Sequence, residues 1–172
     1  VDGGALVGDS TSLRGAIVNN ALVAFDQQAA GIFNGSLSGT GGVIKQGNGL
    51  LTLTGRQAYT GGTTVSAGTL QGTTDSLQGT IVVDAALRFD QAFTGLFAGV
   101  LGATGTLAKA GTGTLMLNGG HAISGATTVE AGTLWLDGSL GGSVTVRSGA
   151  RFVTGGVPAT SSAATMAVAP GD

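Results

Sequence analysis

The sequence predicts an all-β fold wound as a parallel β-helix of about eight rungs. Three observations carry that prediction: a long internal repeat, a period-two alternation of apolar and polar positions inside each copy, and a glycine at the end of nearly every alternating run. Composition agrees. The 172 residues include 34 Gly, roughly 20% against a usual ~7%, while only 9% are charged and 42% are hydrophobic. Disorder goes with low hydrophobicity and high net charge, so it is excluded. Two prolines and glycines without a three-residue period exclude collagen. Helix is disfavoured because Gly and Thr are poor helix formers and no long window keeps a 3.6-residue period.

The repeat comes first, because a fixed period, here about 64 residues, decides the architecture. Ser12-Leu13-Arg14-Gly15 returns as Ser76-Leu77-Gln78-Gly79, Phe25-Asp26-Gln27 as Phe89-Asp90-Gln91, and Gly31-Ile32-Phe33 as Gly95-Leu96-Phe97. Residues 12–75 and 76–139 share about 30 identities in 64 without a gap. A third, partial copy opens at Ser139-Leu140 and runs through Val144, Val146, Arg151 and Phe152. At ~20–22 residues per coil a copy makes three rungs, so successive copies are expected to stack in register. Strands spaced about 4.8 Å apart then give a rod of about 40 Å. A propeller, with blades of about 40–50 residues, fits the period poorly.

Within a copy, Leu51 and Leu53 flank Thr52 as Leu115 and Leu117 flank Met116, the alternation of strands with one buried face. Ala21, Val23 and Phe25, then Ala85, Leu87 and Phe89, then Ser148, Ala150 and Phe152 are assigned to the interior. Their neighbours Ala24, Arg88 and Arg151 are assigned to the outward face, the two arginines as solvated surface charge. Gly55, Gly61, Gly68 and Gly72 mark turns in the first copy, and Gly119, Gly125, Gly132 and Gly138 in the second.

A net charge of −2 with no basic run leaves no electrostatic footprint for nucleic acid. Cysteine is absent, so no disulfide framework or Cys-based zinc site exists. No apolar run approaches the ~20 residues of a membrane-spanning helix. The chain starts Val1-Asp2-Gly3-Gly4 without a signal peptide, and is read as a segment of a longer protein.

The stretch from Gly39 to Leu70 contains Lys45-Gln46-Gly47-Asn48-Gly49-Leu50-Leu51, then Tyr59-Thr60-Gly61-Gly62-Thr63-Thr64-Val65, then Ala67-Gly68-Thr69-Leu70. It resembles the passenger-associated transport repeat of Gram-negative type V secretion passengers, the autotransporters. The second copy, Thr104 to Leu134, matches with Ile123-Ser124-Gly125-Ala126 in place of the aromatic-Thr-Gly-Gly element. Val168-Ala169-Pro170-Gly171-Asp172 resembles a Pro-Gly turn found farther along such passengers. The resemblance implies a right-handed parallel β-helix, exported through periplasm and outer membrane to the bacterial surface or released from it. It also implies a partner, the C-terminal β-barrel translocator of the same polypeptide. On this reading 1–172 is one β-helix segment, with copies at 12–75 and 76–138, a partial copy at 139–153, and an irregular region at 154–172 leading to a further rung.

No residue is assigned a catalytic, cofactor-binding or metal-binding role. His121 is the sole histidine, stands where the first copy has Gln57, and is expected to be a solvated loop residue. Ser10 in Gly8-Asp9-Ser10-Thr11 has no base beside it and reads as part of a turn cap. Asp26 and Asp90, about 14 Å apart over three rungs, are too distant to share a glycosidic bond and read as Asx-type turns. There is no Gly-Lys-Ser/Thr phosphate loop and no Gly-Gly-x-Gly-x-Asp calcium repeat. Asn34-Gly35-Ser36 is a glycosylation sequon without meaning in a bacterium lacking that machinery. Trp135 stands where the first copy has Gln71 and is expected to face outward. The function expected is therefore non-catalytic: a passenger stalk that supports folding, secretion and display. Two alternatives stand beside it. One is adhesion to a host surface or self-association; the other is a scaffold behind an upstream secreted enzyme such as a subtilisin-like protease.

Overall fold

The computed structural model describes residues 1–155 and 166–168. The Val168-to-Asp172 turn and most of the expected irregular region 154–172 lie outside the described residues. Among the described residues, twenty-two short strands form four sheets, and every pairing is parallel. The seven-stranded sheet holds β1 (Ala5–Gly8), β3 (Leu22–Asp26), β6 (Gly42–Gln46), β9 (Thr63–Val65), β11 (Thr80–Val83), β14 (Val100–Ala103) and β17 (Ala122–Ile123). The eight-stranded sheet holds β4 (Gly31–Phe33), β7 (Leu50–Leu53), β10 (Thr69–Gly72), β12 (Ala86–Asp90), β15 (Thr106–Ala110), β18 (Thr127–Val129), β20 (Val144–Val146) and β22 (Met166–Val168). A three-stranded sheet is made by β2 (Ala16–Val18), β5 (Ser36–Gly39) and β8 (Ala58–Tyr59), and a four-stranded one by β13 (Gly95–Phe97), β16 (Thr114–Gly120), β19 (Thr133–Ser139) and β21 (Arg151–Thr154).

The order of visits shows a three-faced coil of about eight turns. β5, β6 and β7 lie in the three-, seven- and eight-stranded sheets; β14, β15 and β16 lie in the seven-, eight- and four-stranded sheets. The three- and four-stranded sheets thus share the third face. Full three-strand turns bring Val43 beside Thr63 and Leu107 beside Thr127, and the turn that brings Val144 beside Met166 is longer. Three turns are shorter, and there Ala5 pairs with Leu22, Thr69 with Ala86, and Thr127 with Val144. In each of these one face carries a corner instead of a strand, and a leucine from the recurring Ser-Leu pair fills the gap: Leu13, Leu77 and Leu140 are all buried. Gly8 and Gly72 make room for the first two, since a Cβ there would meet Leu13 Cγ at 3.0 Å and Leu77 Cγ at 2.9 Å.

Successive copies of the repeat do not stack in register. β3 lies in the seven-stranded sheet and β12 in the eight-stranded one; β7 lies in the eight-stranded sheet and β16 in the four-stranded one. The coil is tighter than expected, so one copy overshoots three turns by one face. The edge-on pairs Phe25–Phe33 and Phe89–Phe97, with ring centroids 5.1 and 5.3 Å apart, sit on different faces accordingly. The partial third copy is also shifted from the expected alignment. Arg151 pairs with Thr133 as Ala86 pairs with Thr69, so Phe152 takes the place of Leu87 rather than that of Phe89.

The interior is a set of stacked columns. One runs Leu51, Leu70, Leu87, Leu107, Thr127, Val144, and another Phe25, Lys45, Val65, Val83. Each fully buried Leu, Val or Phe contributes roughly 1.5–3 kcal/mol of burial. Close stacking also fixes glycine at a corner: a Cβ on Gly55 would lie 2.0 Å from the Gly35 carbonyl oxygen, and one on Gly35 2.0 Å from that of Gly15. One facing assignment needs correction, and one outward residue is covered by its neighbours. Ala24 points outward but is only 5% exposed, because Val7 and Ile44 on the adjoining turns cover it. Ser148 lies exposed in a turn rather than in the interior.

Candidate functional site

Polar side chains recur in the interior of the coil. Lys45 and Lys109 occupy inward positions and are wholly buried. All three N–H bonds of each ammonium are spent on backbone carbonyls. Lys45 Nζ donates to Gln46 O (3.0 Å), Gly47 O (2.7 Å) and Ala67 O (3.0 Å); Lys109 Nζ donates to Ala110 O (2.7 Å), Gly111 O (2.8 Å) and Ala131 O (3.1 Å). Two of the carbonyls belong to the lysine's own corner and the third to the next turn, so each cradle ties two turns together. Gly47 and Gly111 adopt φ of +76° and +73°, the left-handed region open to glycine. Burial pushes each lysine below its ordinary value, and the carboxylates of Asp26 and Asp90 push back.

A second anchor recurs on the strand-to-strand path. Gln57 is buried, accepts from Leu37 N–H (2.8 Å) at Oε1, and donates from Nε2 to Gly35 O (3.1 Å) and Gly55 O (2.6 Å). Its counterpart is His121. The histidine expected in solvent is instead 2% exposed, one turn on from Leu101, with its ring 6.5 Å from that of Phe97. Nδ1 accepts from Leu101 N–H at 3.3 Å, which requires the neutral imidazole with its proton on Nε2. Nε2 has no hydrogen-bond partner. Burial holds His121 below its ordinary value of 6.5, and the backbone of Asn118 opposes that only partly. Nearby, Tyr59 and Thr63 share a buried hydroxyl hydrogen bond. Ile123 replaces Tyr59 in the second copy, and Thr127 Oγ1 is left unpartnered.

Gln27 and Gln91 complete the set. Both are buried, and each Oε1 accepts from the backbone of the preceding strandless corner, Ser10 N–H at 2.9 Å and Thr74 N–H at 3.0 Å. Asp9 organises the first of these corners as a cap: its Oδ1 accepts from Thr11 N–H (3.0 Å) and Ser12 N–H (2.9 Å) and from both hydroxyls, which lowers its pKa to about 2. Asp26 does not close an Asx turn. Its Oδ1 accepts from Gln28 Nε2 at 2.6 Å, and it lies on a different face from Asp90.

Outside, Arg88 is not simply solvated. Its side chain is 33% exposed and bridges over Ala108 of β15 to Glu130, Nη1 to Oε2 2.5 Å. It forms one wall of a shallow groove with Thr69, Gln71, Thr106 and Ala108. Arg151 is exposed. Trp135 faces outward, 41% exposed, between Met116 and Val153. Asn34 is exposed at the corner after β4. Among the described residues no three His, Cys, Asp or Glu side chains are grouped to hold a metal, and no helix is long and apolar enough to cross a membrane. Ser10 and His121 are not brought together: the first lies in the Asp9 corner and the second inside the coil near the other end. The lysine and glutamine anchors were missed in the sequence, although Lys45 shares the inward parity of Val43 and recurs as Lys109 in the second copy.

The family model of the passenger-associated-transport-repeat matches residues 43–71 and 107–136. Each match opens on a lysine-bearing strand and includes the Gln57 or His121 anchor. Over 176 residues the chain is 37% identical to the Adhesin BmaC autotransporter of Brucella suis biovar 1 (strain 1330), an alignment covering 84% of this chain. The chain spans about 5% of that relative's length. No solved structure matches the chain. With the repeat matched twice inside one parallel coil, the chain belongs to the autotransporter passengers that carry passenger-associated transport repeats.

Proposed function

We propose that this chain is a non-catalytic stalk: a length of right-handed solenoid in a passenger displayed at a Gram-negative surface or released from it, whose β-barrel translocator lies elsewhere in the polypeptide. The observation that carries the reading is where the polar chemistry goes. Both lysines and Gln27, Gln57 and Gln91 are spent on groups of their own or the adjoining turns, which holds the coil together and leaves them nothing to offer a substrate. Right-handedness follows from the strong preference of parallel strand–crossover–strand connections for that hand. A second reading, adhesion, is favoured by the likeness to an autotransporter adhesin.

Exchanging this chain, within its full-length protein, for an equal number of turns of an unrelated solenoid tests the proposal. The stalk reading expects export and display to persist together with any activity of the other domains. Loss of cell binding with display intact moves the function to the adhesin reading. Turnover of a substrate by the purified chain overturns both.

A further inference from the structure

The outward column of the four-stranded sheet is apolar over four successive turns. Leu96, Met116, Trp135 and Val153 lie in register there, with Leu96 48% and Trp135 41% exposed. The matching column of the eight-stranded sheet reads Ile32, Thr52, Gln71 and Arg88, polar after its first turn. Charge flanks the apolar column on opposite sides. Arg151, in register with Thr133, stands before it along the strand direction, and Asp137, in register with Asn118, stands after it. Both are exposed.

We infer that this face docks against the same face of a second copy of the chain, side by side and parallel, about a two-fold axis running along the rod. The charge pattern selects that occupant. Across the face it runs plus, apolar, minus, and the two-fold rotation lays it on minus, apolar, plus, an isologous and self-complementary contact. Each member of the apolar column then meets its own counterpart. Asp137 of one copy comes within one turn, about 4.8 Å along the rod, of Arg151 of the second. An antiparallel pairing would set arginine column against arginine column. The apolar column is only about 14 Å long, so a single contact buries well below the ~1,600 Å² of a standard interface. It is weak for one pair and adds up where many copies are held on one surface.

The inference rests on the stalk-or-adhesin reading, but its test uses the purified chain and is independent of export. Because the chain has no cysteine, Leu96→Cys and Met116→Cys variants at high concentration should be cross-linked into dimers by a short bis-maleimide. Ile32→Cys, 62% exposed on the eight-stranded sheet, should remain monomeric. In the Leu96→Cys background, Asp137→Arg and Arg151→Asp should each lower the dimer yield at least about fivefold, and the two together should restore it. Trp135→Ser should abolish cross-linking with an unchanged melting temperature. Equal yields at Leu96 and Ile32, or failure of the double charge reversal to restore the dimer, overturns the inference.

Discussion

The turn that carries Gln57, Tyr59 and Thr63 and the turn that carries His121, Ile123 and Thr127 follow one pattern but differ in how fully they are bonded. In the first, Gln57 makes three hydrogen bonds and Tyr59 closes on Thr63. In the second, His121 keeps only the bond from Leu101 N–H, and two buried polar atoms, His121 Nε2 and Thr127 Oγ1, have no partner. The retained contact is the one to a backbone N–H that the coil itself leaves unsatisfied, so an imidazole nitrogen substitutes for an amide oxygen without changing the fold. The lost contacts are a matter of stability, since an orphaned buried polar group costs about 1–3 kcal/mol.

The largest effects should fall equally on both copies. Phe25→Asp and Phe89→Asp each bury a charge in place of a packed ring and should cost more than about 4 kcal/mol in denaturant unfolding. Lys45→Met and Lys109→Met each strand two carbonyls, since Gln46 O and Ala110 O keep the hydrogen bonds from Gln27 and Gln91 N–H, and should cost about 2–4 kcal/mol; a clear inequality between them would break the equivalence of the cradles. The exchanges at the second anchor sharpen the comparison. Gln57→His should lose about 1–2 kcal/mol, while His121→Gln should gain about 1 kcal/mol by giving the second copy the donors it lacks. Thr63→Val, which orphans Tyr59, should destabilise by about 1 kcal/mol, whereas Thr127→Val should be neutral or stabilising. Arg88→Ala, which removes a partly exposed ion pair, should change stability by no more than about 1 kcal/mol.

The all-β class and the parallel coil were legible because alternation and glycine punctuation are local signals: Leu51 and Leu53 are buried where the pattern puts them. The rotation of the repeat by one face was not, because it depends on the length of a turn, and the shorter turns arise where Leu13 and Leu77 replace a strand. Lys45 and Lys109 were unreadable as interior residues by composition alone. A lysine is seldom buried unless its charge is matched, and here the match is three carbonyls that only the folded corner assembles. His121 hid for the same reason: its acceptor role is fixed by Leu101 N–H, distant in sequence and one turn away in space.

The contrast between the two anchors is tested most directly by acid unfolding of the wild-type chain beside His121→Gln. The folded-state pKa of His121 lies below its unfolded value of 6.5, so the unfolded chain binds the proton first and stability falls as pH drops below about 6.5. The capping carboxylate of Asp9, with a pKa of about 2 against 3.8 when unfolded, loses its contribution only below about pH 4. Between pH 7 and 5, the denaturant midpoint should therefore decline in the wild type and stay level in His121→Gln. The same decline in both proteins would contradict the account.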